Sequence, residues 1–238
     1  MSLRIALVTG ASRGMGRAIA LRLADEVSGV AVHYLTRREE AQDLAAAIRE
    51  KGKLSAVFRA DLSKKAQAAG LIKKVEEKFG RIDVLVNNVG PFLVKPWDQL
   101  EVSDWERVLR GNLLGSYFCI KAALAGMRKR RWGRIINIGY SRAEQLTSFP
   151  TIAPYAAAKT GLLILTRTAA VAEAANGITA NMVSPGLIKG GALPQARDLS
   201  QLRLGTFEDV AEAVAYLASD RAAAVTGANL IVAGTWKM

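Results

Sequence analysis

The chain has 238 residues, carries 33 Lys plus Arg against 21 Asp plus Glu for a formal charge of +12, and has a pI of about 10.1. Half of it is hydrophobic and 23% is charged, a globular balance that excludes disordered and fibrous chains. One Cys, Cys119, and one His, His33, exclude an intrachain disulfide framework and a soft-metal ligand set, so no metal site is expected.

Apolar strand-like runs alternate with helical stretches along the chain. Leu3 to Thr9 reads as a buried strand, Gly14 to Ala24 as a helix, Val30 to Leu35 as a strand and Arg38 to Glu50 as a polar-faced helix. Leu54 to Arg59 is a third strand, Lys64 to Phe79 a charged helix, and Ile82 to Asn87 a fourth strand. A long helix is expected over Ser103 to Arg130, then a strand over Gly133 to Ile138 and a helix over Pro154 to Ala175. Thr179 to Ser184 and Leu230 to Val232 are the last strands, with a helix from Phe207 to Ala218 between them. This alternation predicts an α/β fold: one doubly wound, Rossmann-type domain over residues 1–238, with a mainly parallel sheet of about seven strands. Ligands of such sheets bind beyond the carboxyl ends of the strands.

No apolar run is long enough to span a membrane, and Met1 to Ile5 enters a strand-like run without a signal peptide's apolar core, so a cytoplasmic protein is expected. The excess positive charge favours anionic partners. Its densest run, Arg128-Lys129-Arg130-Arg131, reads as a helix C-terminus complementing the dipole. No nucleic-acid-binding module accompanies it, so nucleic acid is not an expected partner.

After the first strand comes Thr9-Gly10-Ala11-Ser12-Arg13-Gly14-Met15-Gly16, then a helix. The glycines allow a tight turn and close approach of a ligand, and the helix N-terminus offers free N–H groups to a pyrophosphate. The spacing T-G-x-x-x-G-x-G resembles the short-chain dehydrogenase/reductase family. Further signatures follow in that family's order: Asp61-Leu62, Asn87-Asn88-Val89-Gly90, Asn112, Tyr155-Ala156-Ala157-Ala158-Lys159 and Pro185-Gly186. Within the family the text is most similar to 3-oxoacyl-acyl-carrier-protein reductases, through Gly133 to Gly139, Tyr155 to Lys159 and Arg203-Leu204-Gly205.

A carboxylate ending the second strand would bind a ribose 2′-hydroxyl and repel a 2′-phosphate. That stretch reads His33-Tyr34-Leu35-Thr36-Arg37-Arg38, with no acid before Glu39. Arg13 stands in the glycine turn, where the family's NADP-preferring members place a basic residue. A guanidinium pairs with phosphate through two parallel hydrogen bonds. NADP(H) is therefore the expected cofactor, held by Arg13, Thr36 and Arg37; Arg37 and Arg38 also suit a solvated helix start. His33 reads as a strand residue near the adenosine end. The resemblance implies that Gly10, Ser12, Gly14, Met15 and Gly16 line the dinucleotide. It implies further that Asp61 and Leu62 border the adenine, Asn88 and Gly90 approach the ribose, and Pro185, Gly186 and Ile188 lie near the nicotinamide. The family's usual Thr after Ile188 is here Gly190.

Tyr155 and Lys159 stand at i and i+4, one face of a helix. A free tyrosine titrates near pH ~10, and an adjacent lysine cation lowers that value. The resemblance implies hydride transfer to a carbonyl carbon, with Tyr155 donating the proton, Lys159 holding the nicotinamide ribose and Asn112 holding a water that passes protons to Lys159. Both Tyr155 and Lys159 are expected against the cofactor. The family's catalytic serine after the fifth strand is replaced by Tyr140, with Ser141 one place later. Ser141 ranks slightly ahead of Tyr140 as the substitute hydroxyl, with Ser148 more remote. A third reading is a missing oxyanion partner, and with it a weakly active dinucleotide-binding protein. Gly190 to Gln201 is expected to form the loop over the substrate. The substrate is expected to be a small or carrier-bound carbonyl, with acyl carrier protein as a candidate partner; a small ketone, sugar or steroid-like alcohol is the alternative. Trp97, Trp132 and Trp236 suit packing or a subunit contact. The long helix and the helix from Pro154 resemble the family's dimer interface, and a homotetramer is expected, with a dimer second.

Overall fold

The computed structural model describes residues 3–191 and 201–235. Its elements in chain order are β1 (Ile5–Val8), α1 (Gly14–Glu26), β2 (Gly29–Tyr34), α2 (Arg38–Glu50), β3 (Leu54–Arg59), α3 (Lys65–Phe79) and β4 (Val84–Asn87). Then come α4 (Val102–Leu109), α5 (Gly115–Arg130), β5 (Gly133–Ile138), α6 (Ala153–Glu173), β6 (Ile178–Pro185), α7 (Phe207–Ala218) and β7 (Asn229–Val232). The strands form one seven-stranded sheet in the order β3-β2-β1-β4-β5-β6-β7. Every pairing is parallel. The expected doubly wound fold is therefore present.

Strands covered on both faces read as continuous apolar runs rather than alternating ones. β1, β4, β5 and β6 are buried at every position, whereas the edge strands β3 and β7 are only partly covered. Successive residues feed opposite cores. Val8, Val30 and Val32 join Ile19, Leu23 and Val214 on one face, while Leu7 and Ala31 join Leu71, Leu85 and Ile135 on the other. The chain leaves β1 toward β2 and β3 and later returns to β4 on the other side, so the order reverses between β1 and β4. That switch point opens a crevice at the carboxyl ends of the strands.

The expected long helix over Ser103 to Arg130 needs correcting. It starts at Val102, and a π-helical segment, Arg110–Leu114, separates α4 from α5. A Cβ on Gly111 would lie 2.4 Å from Pro91 Cδ, and Asn112 Nδ2 donates to Pro91 O at 2.9 Å and to Val108 O at 3.1 Å. The close approach of the Pro91 loop and the side-chain bonds to the backbone account for the bulge. Other boundaries move by a residue or two, as at β1 and β4.

The basic run closes α5 as expected. Arg128 pairs with the buried Glu173, Arg130 lies 3.3 Å from Asp83, and Arg131 donates to Ala175 O at 2.9 Å. Much of that charge is engaged within the fold. Trp132 sits between two guanidiniums, Arg4 at 4.1 Å and Arg134 at 4.3 Å from its ring centroid. Trp97 is exposed, and Trp236 lies outside the described residues.

Candidate active site

The glycine turn between β1 and α1 is built for contact with a ligand's backbone-sized approach. Gly10 has φ +62° and Gly14 φ +52°, the left-handed region that disfavours any side chain. A Cβ on Gly16 would stand 2.3 Å from Gly10 O, so nothing larger than glycine closes this turn. Neighbouring strands brace it. Asn88 Nδ2 donates to the carbonyls of Thr9 at 3.0 Å and Gly10 at 3.1 Å, and Thr9 Oγ1 accepts from the Asn88 amide at 2.8 Å. His33 Nδ1 accepts the Gly10 N–H at 3.0 Å. Glycines with no room for a side chain, set at the start of α1, fit a pyrophosphate, and the residues present therefore suit a dinucleotide.

A cleft of about 1100 Å³ runs from this turn along the crevice, lined by Ser12, Arg13, Thr36, Arg37, Asp61 and Leu62 among others. The sequence-expected nucleotide residues thus converge on one rim. Arg37 pairs with Glu40 at 2.8 Å. The Glu40 carboxyl is held below the usual range first by Arg37 and more weakly by Arg13, so both guanidiniums share one field. The Asp61 carboxylate accepts from the Ser63 hydroxyl at 2.6 Å and the Ser63 amide at 3.1 Å, and its Oδ2 lies 3.8 Å from Lys64 Nζ. Arg107, on α4, lines the same cleft and has no sequence signal to single it out.

An adjoining cleft of about 260 Å³ contains Tyr155, Lys159, Tyr140, Pro185, Gly186 and Ile188. The two clefts adjoin, sharing Met15, Asn88 and Gly90 in their linings. α6 is held against the sheet by a buried polar ladder. Asn87 Nδ2 donates to Asn137 Oδ1 at 2.9 Å, Asn137 Nδ2 to Thr166 Oγ1 at 2.8 Å, and Thr166 Oγ1 to Leu162 O at 2.7 Å. With the Asn137–Thr166 bond, Lys159 makes a second tie between α6 and the sheet, donating from Nζ to Ile138 O at 2.7 Å. Asn137 and Thr166 were not singled out from the sequence. A polar residue in the middle of the apolar run Gly133 to Ile138 is the signal that could have flagged the first.

The electrostatics differ from the sequence expectation. Lys159 is buried, and desolvation alone pushes its amine down to about 7. Its Nζ lies 5.6 Å from the Tyr155 ring centroid. Burial, helped by the negative field a Tyr140 phenolate would add, pushes the Tyr155 phenol up rather than down. In the chain alone, desolvation outweighs the attraction of the lysine, because an amine that is itself losing its charge offers little to a phenolate.

The turn after β5 separates the two candidate hydroxyls. Tyr140 lines the cleft, its ring centroid 5.7 Å from that of Tyr155. Ser141 is buried, its amide donates to Pro185 O at 3.0 Å, and its Oγ has no partner among the described atoms. The Ala143 amide bonds Tyr140 O at 2.9 Å, closing a turn in which successive side chains diverge. Of the two, Tyr140 lines the cleft, whereas Ser141 is buried and absent from its lining. Ser148 is exposed and absent from the cleft lining. Asn112 is fully buried at the π segment, with Nδ2 spent on backbone carbonyls and Oδ1 unpartnered. A Cβ on Gly90 would meet that Oδ1 at 1.9 Å, which accounts for the glycine.

Phe92 was also missed. It packs edge-on against Tyr155, with centroids 4.9 Å apart at 83°, from a loop with no local motif. Of the expected substrate loop, Gly190 and Gly191 line the larger cleft, while residues 192–200 lie outside the described residues. Among the described residues no cluster of His, Cys, Asp and Glu could hold a metal, and no helix is long and apolar enough to cross a membrane.

The chain is similar to known proteins over nearly its full length. A family profile described as enoyl-(acyl carrier protein) reductase matches residues 10–235. The 3-oxoacyl-[acyl-carrier-protein] reductase FabG of Staphylococcus aureus is 39% identical, the match covering 96% of this chain and 96% of that protein. The 3beta-hydroxysteroid dehydrogenase 1 of Eggerthella lenta is 35% identical over 96% of this chain and 91% of its own length. A blue fluorescent protein from a metagenomic library, solved in complex with NADPH, superposes with a TM-score of 0.90 at 35% identity, covering 99% of this chain and 98% of that one. These relatives differ in named reaction and share one scaffold. Profile, relatives and fold together establish that the chain belongs to the short-chain dehydrogenase/reductase family.

Proposed function

We propose that this protein is an NADP(H)-dependent reductase that turns a carbonyl into an alcohol, of the 3-oxoacyl-[acyl-carrier-protein] reductase kind. The observation that carries this reading is the glycine cradle's cleft adjoining the cleft that contains Tyr155 and Lys159. The cradle from Gly10 to Gly16 receives the pyrophosphate. Arg13, Thr36 and Arg37 receive the 2′-phosphate, with Asp61 and Leu62 beside the adenine and Asn88 and Gly90 beside the ribose. Pro185, Gly186 and Ile188 border the nicotinamide end. The reduced nicotinamide, when bound, supplies the hydride that the carbonyl carbon accepts.

Tyr155 gives its phenolic proton to the oxygen as the carbon–oxygen π pair moves onto it. Burial keeps that phenol protonated but weakens it as an acid, so the donation relies on the positive field that a charged Lys159 adds beside it. Lys159 sits behind the tyrosine and returns a proton to it after turnover, with Asn112 ordering the water on that route. Tyr140 supplies the second hydroxyl to the developing oxyanion. The substrate is a carrier-bound acyl carbonyl, and the basic surface suits an acidic carrier such as acyl carrier protein. The working form is a cytoplasmic homotetramer: exposed Ile164 and Val171 on α6 and the exposed apolar residues Leu230 and Ile231 of the edge strand β7 are places that subunits can cover.

A second reading, reduction of a ring or steroid-like ketone, draws support from the aromatic walls that Phe92 and Tyr140 set beside Tyr155. NADPH oxidation with a 3-oxoacyl thioester and with a panel of free ketones separates the two. Tyr155→Phe is expected to lower kcat by about 10²–10⁴ on the true substrate while NADPH affinity holds. Tight NADPH binding without turnover on any carbonyl would leave a binding protein instead.

A further inference from the structure

His33 is the only histidine of the chain, and it lies buried at the carboxyl end of β2. Nothing in hydride or proton transfer uses it. Both of its ring nitrogens are nonetheless committed. Nδ1 lies 3.0 Å from the Gly10 amide, and Nε2 lies 3.0 Å from the Ala60 carbonyl beyond β3. An amide can only donate and a carbonyl can only accept. The pair of contacts therefore specifies one form of the ring: neutral, with the proton on Nε2 and the lone pair of Nδ1 facing Gly10.

Gly10 opens the cradle in a left-handed backbone, with φ +62°. Its carbonyl is taken by Asn88 and its amide by His33, so the peptide groups on either side of the strained residue are gripped from β4 and from β2. We propose that His33 is a positioning residue for the dinucleotide, its Nδ1 lone pair holding the Gly10 amide so that the glycine turn is set before the cofactor arrives. This rests on the dinucleotide-binding part of the proposed function and is independent of the substrate. Loss of the acceptor leaves the Gly10 N–H unpaired, while Asn88 still holds the Gly10 carbonyl and the Ala11 amide still donates to His33 O at 3.0 Å; the remaining ordering of the turn then falls to the cofactor, which weakens its affinity.

The charged residues on the elements around the ring are Arg13 on the turn, Arg59 and Asp61 flanking Ala60, and Lys64 before α3. Asp61 is engaged by Ser63 and by Lys64 at 3.8 Å, and Arg59 donates to Leu35 O at 3.1 Å. The influences on the imidazole are burial, which pushes it down to about 4, and the weaker opposing pull of the Ala60 carbonyl. The ring therefore stays an acceptor toward Gly10 across the ordinary working range.

Two measurements test this. In uniformly ¹⁵N-labelled wild-type protein the single histidine needs no assignment, and its ring shifts are expected to show the neutral Nε2–H tautomer at pH 7 and still at pH 5. An Nδ1–H tautomer or a charged ring at pH 7 overturns the proposal without any mutation. In variants, NADPH affinity is read by fluorescence titration. H33L is expected to weaken NADPH about tenfold, and H33N, whose Oδ1 can take the place of Nδ1, to recover most of that loss. A fold in which H33L melts lower yet binds NADPH as tightly as wild type sinks the positioning role and leaves a structural one. Because the readout is cofactor binding alone, an enzyme that fails every carbonyl substrate would still decide it.

Discussion

At the scale of single residues, the site turns on which hydroxyls face the cleft and which are buried. Tyr140 lines the cleft beside Tyr155, at the place where the resemblance to the family leads one to expect serine, while Ser141 is buried with its Oγ unpartnered. Tyr140→Phe is expected to cost about 10²-fold in kcat, the scale for removing one oxyanion donor, whereas Ser141→Ala should stay within a few-fold of wild type. Steady-state kinetics on both variants decides it, and the reverse pattern would return the role to Ser141. The direction of the Tyr155 shift belongs to the same scale. Two groups at i and i+4 are legible as a pair in the sequence, but how deeply they are desolvated is not. That depth reverses the sign of the expected effect on the phenol.

At the scale of elements, helix α1 meets β1 through a turn with no spare volume. Gly16→Ala would bring a methyl group against Gly10 O, where an ideal Cβ stands 2.3 Å away, in direct contact with backbone that cannot move aside cheaply. Overpacking of this kind costs about 1–3 kcal/mol, and here it also deforms the cradle. NADPH affinity is expected to fall by more than tenfold alongside a lower urea midpoint, and a variant that binds normally would show the turn to be more compliant than its geometry implies. Much of this element was readable in advance, because glycines at fixed spacing between a strand and a helix carry their own steric reason. The π segment between α4 and α5 was not. Its cause is the Pro91 loop and the Asn112 side chain, which reach one another only through the fold. The polar ladder from Asn87 through Asn137 to Thr166 is equally non-local, joining β4, β5 and α6.

At the scale of the whole molecule, the buried imidazole ties stability to pH. His33 has a value near 6.5 when unfolded and is pushed to about 4 in the fold, so the unfolded chain binds the extra proton between those limits. Its stabilising contribution is complete above about pH 6.5 and is lost progressively as pH falls to about 4, at most about 3 kcal/mol in all. Urea midpoints for wild type and H33N between pH 7 and pH 4.5 should converge if this holds, and parallel curves would place the acid sensitivity elsewhere. Assembly belongs here too. Sedimentation is expected to give a tetramer, and charge placed at Ile164 and Val171 on the exposed face of α6 should split it; a tetramer that survives both changes would locate the interface on other faces.

Local rules reach as far as local causes do. The alternation of elements, the glycine turn, the Tyr155–Lys159 pair and the want of an acid after β2 were all determined by the amino-acid sequence alone, because each depends on residue types at short spacing. The tertiary structure decided which of two adjacent hydroxyls enters the cleft, where the long helix bulges, what grips the Gly10 amide and which way burial drives the phenol. Those outcomes arise from contacts between strands and loops far apart in the chain, and from the exclusion of water that only their assembly produces.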